Sequence, residues 1–204
     1  AAMAAGCRLA TSFHRVHGAN VQLDASRMRA TRVESFANGL CFSQEPLAPG
    51  QIFLVEIEEK EKGWCGHLRV GLTAHDPQSL EVVPEYSLPD LVNLGDTWVF
   101  AITRSHHRIG VLYPPQPDGT ADMHIVINGQ DMGPSARRLP TARPLYAVVD
   151  VFASTKSVRI IPVEYGLPSL QTLCRLVIQK HIIHRLAIDG LDLPPPLKSF
   201  CKHE

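Results

Sequence analysis

The chain has 204 residues, 45% of them hydrophobic, and its 20 Lys and Arg are matched by 20 Asp and Glu. That length holds one full domain and a small appendage. The charge balance excludes the broad basic field that recruits nucleic acid or an anionic membrane, and the local cluster Arg27, Arg29 and Arg32 does not alter it. The five cysteines, Cys7, Cys41, Cys65, Cys174 and Cys201, are odd in number and never spaced C-x-x-C. They argue against a disulfide framework and a structural zinc site, and for a reducing compartment. AAMAAGCRLATS lacks the apolar stretch of a secretory signal, and nothing later approaches a membrane span. The expectation is a cytoplasmic protein without stable membrane insertion, disordered over 1–12.

From Phe13 to Tyr165, short apolar runs broken by Gly, Pro, Asn and Asp predict an all-β domain. In IFLVEI, the residues Phe53, Val55 and Ile57 share one face; in WCGHLRVGL, so do Trp64, Leu68, Val70 and Leu72. The two runs read as a hairpin with EEKEKG as its solvated tip. Asp76–Asp96 lacks strand pattern and carries several turn formers, which predicts a long ordered connection of the kind that holds binding contacts. TWVFAITR alternates Trp98, Phe100 and Ile102 toward the core. SHHRIGVLYPPQPDG, Ser105 to Gly119, reads as a second loop region. Asn128-Gly129 fits a tight turn with positive φ. LYAVVDVFA, apolar on both faces, predicts a central strand, and Pro162 in SVRIIPVEY predicts an edge strand or a bulge.

Few of these residues suggest chemistry. His14 and His17 have the i, i+3 spacing of a metal pair, repeated by His181 and His184, but no third ligand accompanies either, so no metal or cofactor is expected. Cys41 and Cys65 sit in strand runs where a buried, inert thiol is the ordinary role. His106-His107 reads as solvated, and Trp64 and Trp98 as core. No P-loop, dinucleotide-binding glycine pattern, GxSxG or HExxH occurs.

After Gly166 the period changes from 2 to about 3.6. Leu170, Leu173, Cys174, Val177 and Ile178 form one apolar stripe, Ser169 stands where a helix cap belongs, and Gly190 with Pro194-Pro195-Pro196 breaks the chain before LKSFCKHE. Such an appendage is too small to enclose its own core. Periodicity alone would pack the helix on the β-domain. The identities of the residues offer a second partner, because SLQTLCRLVI resembles the elongin-binding box that opens a SOCS box, and AIDGLDLPPPLKSF resembles the remainder of one. The resemblance implies that a helix over 168–180 places Ser169, Leu170, Leu173, Cys174, Val177 and Ile178 in the groove of elongin C, and thereby engages elongin B. Cys174 would then be a small packed hydrophobe. Segment 191–201 would select the cullin. Leu191-Asp192-Leu193-Pro194 matches the cullin 5 element except for Asp192, and Leu193, Pro194 and Leu197 can also be read as a cullin 2 element. Cullin 5 with its RING partner is the favoured expectation.

The larger domain carries its own resemblance. FHRVHGANVQL, SFANGLCFSQEPLAPGQIFLVEIEE, WCGHLRVGLT, LPDLVNLGDTWVFAITR, INGQDMGP and LYAVVDVFASTKSVRI resemble a neuralized homology repeat, with a shortened stretch between AITRSHH and RIGVLYP. The resemblance implies a mainly β, SPRY-like antiparallel sandwich over 13–165 that binds a protein substrate, followed by a small α-helical SOCS box over 167–204. The chain lacks the paired Cys/His ligands of a RING, so it would be a non-catalytic adaptor, the substrate-recognition subunit of a cullin–RING ubiquitin ligase that leads its target to degradation. The rivals are an interaction module whose C-terminal helix packs on its own sandwich, and a sandwich that binds a sugar or phosphoinositide.

Overall fold

The computed structural model describes residues 12–62, 66–103 and 107–163, together with 178, 188, 190–194, 197–198 and 201. The chain divides into two compact units, Leu9–Val163 and a second formed by Ala1–Arg8 with Glu164–Glu204.

The larger unit is built from β1 (Val21–Leu23), β2 (Arg29–Arg32), β3 (Leu40–Phe42), β4 (Phe53–Lys60), β5 (Arg69–Thr73), β6 (Thr97–Ala101), β7 (Arg108–Leu112), β8 (Thr120–Ile127), β9 (Gln130–Pro140), β10 (Tyr146–Asp150) and β11 (Thr155–Ile160). They form a seven-stranded sheet in the order β1-β2-β11-β4-β7-β8-β9 and a four-stranded sheet in the order β3-β10-β5-β6. Every pairing is antiparallel. Alternation decides which side chains meet between the sheets. Phe53, Val55 and Ile57 of β4, Ile109 and Val111 of β7, and Ala121, Met123 and Ile125 of β8 come from one sheet, and Cys41, Val70, Leu72, Ala147 and Val149 come from the other; all are buried in one cluster. Each of the larger aliphatic chains stabilises the fold by roughly 1.5–3 kcal/mol through removal from water.

A second cluster lies on the other face of the four-stranded sheet, where Leu40, Phe42, Val99 and Val148 are buried together with Leu91. Leu91 belongs to the connection between β5 and β6, as do Leu80, Val83, Leu88 and Val92, which pack on the same cluster. The Asp76–Asp96 segment is therefore ordered, as expected, and acts as a cover with a 3-10 turn at Pro77–Ser79 and a π-type turn at Ser87–Leu91. This cover explains why β10 is buried along its whole length, the central strand that its sequence predicts. Asn128 and Gly129, with φ of 49° and 85°, make the tight turn between β8 and β9.

Four expectations are corrected. First, β4 and β5 are not a hairpin: β4 pairs with β11 and β7, and β5 pairs with β10 and β6, so the two strands lie in opposite sheets. Their inward faces look alike because a half-buried strand has the same pattern whether its neighbour is beside it or across the core. Glu58 and Glu59, taken for a hairpin tip, belong to β4 and pair with Arg29 and Arg159. Second, the Ser105–Gly119 region contains β7, an interior strand in which Gly110 lies opposite Leu54. The Pro and His content that made the run look like loop flanks this strand, and a Cβ at Gly110 would meet Ile52 Cδ1 at 2.6 Å, so the glycine fits close packing. Third, Pro162 stands beyond the end of β11, an interior strand whose irregularity lies at Thr155–Val158. Fourth, Phe100 is 38% exposed, whereas Ile102 is buried and Trp98 packs against the core.

In the C-terminal unit Ile178 is helical and half-buried, and Ile188 and Cys201 are buried. Leu191 N–H donates to Ile188 O at 3.3 Å and Leu193 N–H to Leu191 O at 2.9 Å, while Pro194 O accepts from the N–H groups of Leu197 and Lys198 at 2.9 and 3.1 Å. No helix among the described residues is long and apolar enough to cross a membrane.

Gly71 tests the close approach of β5 and β6. A Cβ there would lie 1.8 Å from Trp98 O and 2.7 Å from Val99 Cα, both backbone atoms that cannot swing away. Gly71→Ala is expected to lower unfolding stability by about 1–3 kcal/mol or more, read by urea denaturation, with Gly129→Ala as a control that strains only a turn.

Candidate functional site

Loops at one end of the sandwich assemble a cluster of three aromatic rings. Phe36 comes from the β2–β3 loop, Tyr86 from the cover segment, and Phe152 from the turn between β10 and β11. Phe36 and Tyr86 stack with centroids 6.3 Å apart and 29° between planes, and Phe152 meets both edge-on at 6.2 Å. All three are half-buried. Each such ring pair adds about 0.5–1.5 kcal/mol beyond its buried area.

The cluster rests on a charged floor. Arg69 and Asp150 are direct cross-strand neighbours on β5 and β10, and the Arg69 guanidinium carbon lies 3.6 Å from the centroid of Phe152. Arg69 Nη1 donates to Leu88 O at 3.1 Å and lies 3.5 Å from Asp150 Oδ2. Ser87 N–H and Ser87 Oγ donate to the same Oδ2 at 3.1 and 2.6 Å. Asp150 thus ties Ser87, and with it the neighbouring Tyr86, to the sheet. Asn38 N–H donates to Glu85 O at 3.0 Å, joining the β2–β3 loop to the cover. Asp150 has no solvent exposure, and its Oδ1 has no hydrogen-bond partner. Burial pushes its carboxyl above the ordinary aspartate range, against the opposing pull of Ser87 and Arg69. The turn carrying Phe152 is held from the other sheet by Arg32. Its Nε donates to Val151 O at 3.0 Å and its Nη2 to Ala153 O at 2.6 Å and Thr155 O at 3.2 Å, and Nη2 lies 2.9 Å from Glu61 Oε2.

Among the described residues, the hydroxyl and thiol nearest this end are hydrogen-bonded or buried. Ser154 Oγ donates to Gly66 O, so its proton is committed, and His67 Nδ1 lies 2.7 Å from Ser154 Oγ. Burial raises the Cys41 thiol far above its usual range, which makes it inert. Val16 N–H donates to His14 Nδ1, and His17 Nδ1 bonds Gly18 O. Among the described residues no three His, Cys, Asp or Glu side chains are grouped to hold a metal ion. What the loop end offers is a half-exposed aromatic surface on a preformed base, suited to binding a protein segment.

Of the elongin-binding residues read from the sequence, Ile178 is described as helical and half-buried; Ser169, Leu170, Leu173, Cys174 and Val177 lie outside the described residues, as do Trp64, Cys65, His106, His181 and His184. In the cullin-selecting segment Leu191, Leu193 and Leu197 are half-buried and Pro194 is exposed. The sequence reading placed binding contacts in Asp76–Asp96, which supplies Tyr86 and Ser87, but missed Phe36, Arg69, Asp150 and Phe152. One signal was present: Asp150 is the only charge in the apolar run LYAVVDVFA.

The profile of the Neuralized family matches residues 13–162, and that of the SOCS box matches residues 166–202. Neuralized-like protein 2 of Homo sapiens is 58% identical over 262 aligned residues, covering 95% of this chain and 92% of that protein. The aligned length exceeds the length of this chain, so the relative carries internal sequence that this chain lacks. E3 ubiquitin-protein ligase NEURL3 of Mus musculus is 33% identical, covering 76% of this chain and 62% of that protein. Among solved structures, the crystal structure of the Drosophila melanogaster neuralized-NHR1 domain aligns with a TM-score of 0.69 at 26% identity, covering 75% of this chain and 98% of that one.

The buried carboxyl gives this end a pH signature. A group whose folded pKa exceeds its unfolded value holds its proton more tightly when folded, so stability falls as pH rises from about 4, the ordinary aspartate value, through the folded value. Asp150→Asn keeps the shape and removes that titration. Its unfolding free energy is expected to fall less than that of the parent over the same pH rise, measured by denaturant titration at a series of pH values.

Proposed function

The chain belongs to the neuralized family and carries a SOCS-box segment after its neuralized domain, and on that premise we propose that it is the substrate-recognition subunit of a ubiquitin ligase. The observation that carries this is the presence in one chain of a neuralized domain over 13–162 and a SOCS box over 166–202. A relative named as an E3 ubiquitin-protein ligase shares the first of these regions. In the finer form of the proposal, elongin C receives the stripe Leu170, Leu173, Cys174, Val177 and Ile178, with Ser169 at the helix start, and elongin B follows. Burial of the four largest of these could contribute roughly 1.5–3 kcal/mol each, enough to offset the cost of association with a preformed groove.

Leu191, Leu193, Pro194 and Leu197 then meet the cullin, taken as cullin 5 with cullin 2 as the alternative, and the cullin brings its RING partner. The turn at Pro194, with its carbonyl accepting two N–H groups and its ring exposed, supports a rigid, accessible contact there. Target proteins dock at the Phe36–Tyr86–Phe152 end. The chain performs no bond chemistry; it raises the effective concentration of a substrate lysine near a charged ubiquitin-conjugating enzyme, and the consequence is degradation of the target. Its five cysteines, odd in number and never spaced C-x-x-C, support the cytoplasm as the place of action.

Affinity purification of the tagged full chain from cells, followed by mass spectrometry, is expected to recover elongins B and C and a cullin. Leu170→Pro with Cys174→Phe should remove all three and retain the target. Tyr86→Ala should do the reverse, losing the target and retaining elongins. Recovery of elongins by the first variant would defeat the SOCS-box role.

A further inference from the structure

The loops that bring the three rings together are one-sided in charge. Residues 33–39, 80–92 and 151–154 contain Glu34, Glu81, Glu85 and Asp90 and no Lys or Arg, in a chain whose charges balance overall. Glu34, Glu81 and Glu85 are exposed and Asp90 is half-buried. Arg69, the cation packed on the rings, does not offset this rim, because Asp150, Leu88 O and the face of Phe152 already engage it. On the adjoining loop Glu61 is paired with Arg32, and Lys62 is exposed.

Tyr86 lies within the acidic rim. Its side chain is hydrogen-bonded to Glu85, and Asp90 Oδ2 accepts its backbone N–H at 3.3 Å. Burial first, then Glu85 and Asp90, push its hydroxyl above the usual tyrosine range, so the negative charge is felt at the ring itself. Aromatic faces attract cations, and this cluster already stacks one guanidinium on Phe152. A half-exposed ring beside uncompensated carboxylates extends the same preference outward.

We infer that the target segment presents an Arg or Lys side chain to this rim, seated against Tyr86 beside Glu85 and Asp90. The inference rests on the docking role proposed for this end of the sandwich and specifies its occupant, a basic segment of a protein. Because the carboxylates are exposed, binding is salt-sensitive, and the charge steers encounter as well as holding the segment.

The test uses the full chain and two short fluorescein-labelled Gly-Ser peptides, one with a central Arg-Arg and one with the same positions as citrulline, which keeps the shape and removes the charge. Fluorescence anisotropy should show the arginine peptide binding about 5–10-fold more tightly, with the difference shrinking as salt is raised. Glu85→Lys, a surface change that leaves the Asn38 contact to Glu85 O in place, should abolish the preference, and Glu85→Gln should reduce it. Equal binding of the two peptides, binding of neither at millimolar concentration, or a preference that survives Glu85→Lys overturns the inference. If that happens while Tyr86→Ala still loses the cellular target, the docking site stands and only its cation preference falls. If Tyr86→Ala leaves target capture untouched, both fall.

Discussion

Among the described residues Arg32 is the largest fully buried side chain, and it lies where a charge is most costly, at 1% exposure. Taking a guanidinium out of water costs several kcal/mol unless its donors are met. Here they reach three carbonyls of the β10–β11 turn and the carboxylate of Glu61. The turn needs holding, since Ala153 has a φ of 50°, a left-handed conformation that a residue with a Cβ adopts at some cost. Phe152 sits between Asp150, which binds the cover segment, and Ala153, which Arg32 binds. Two buried polar side chains, one from each sheet, thereby flank the position of one ring, and that ring packs edge-on against the other two.

This construction bears on how the chain can work. A docking surface assembled from three loops would lose much of its binding free energy to ordering if those loops moved independently. Hydrogen bonds from Ser87 of the cover to Asp150, from Arg32 to the Phe152 turn and from Asn38 to Glu85 remove that freedom before any target arrives. The second hydrophobic cluster under the cover adds to the same effect, since Leu91 is fully buried against Phe42 and Val148. The neuralized match over 13–162 and the SOCS-box match over 166–202 fall in separate stretches of the chain, so the two roles proposed above would be carried by different residues.

The inward faces of β4 and β5 were legible because alternation in Phe53, Val55, Ile57 and Leu68, Val70, Leu72 is a local property. Their partners were not, since pairing depends on strands far away in sequence. The Asn128-Gly129 turn was legible from its unusual φ requirement, whereas β7 was masked by the prolines and histidines around it. The cover segment announced itself as ordered through its turn formers, but Leu80, Val83, Leu88, Leu91 and Val92 have no strand period, so its role over a second cluster could not be read. The aromatic cluster was hidden for a stronger reason: Phe36, Tyr86 and Phe152 come from three separate loops, and nothing local marks them as neighbours. Asp150 in its apolar run was the accessible clue.

The loop end is held in place by its own hydrogen bonds, apart from any role of the segment proposed to bind elongin C. Hydrogen exchange on the full chain, alone and with elongins B and C added, tests it directly. The account predicts slow exchange at Ser87, Val151 and Thr155 in the free chain, unchanged by elongins, with new protection confined to 169–178. Fast exchange at those three amides in the free chain, or protection there on adding elongins with none at 169–178, would contradict it.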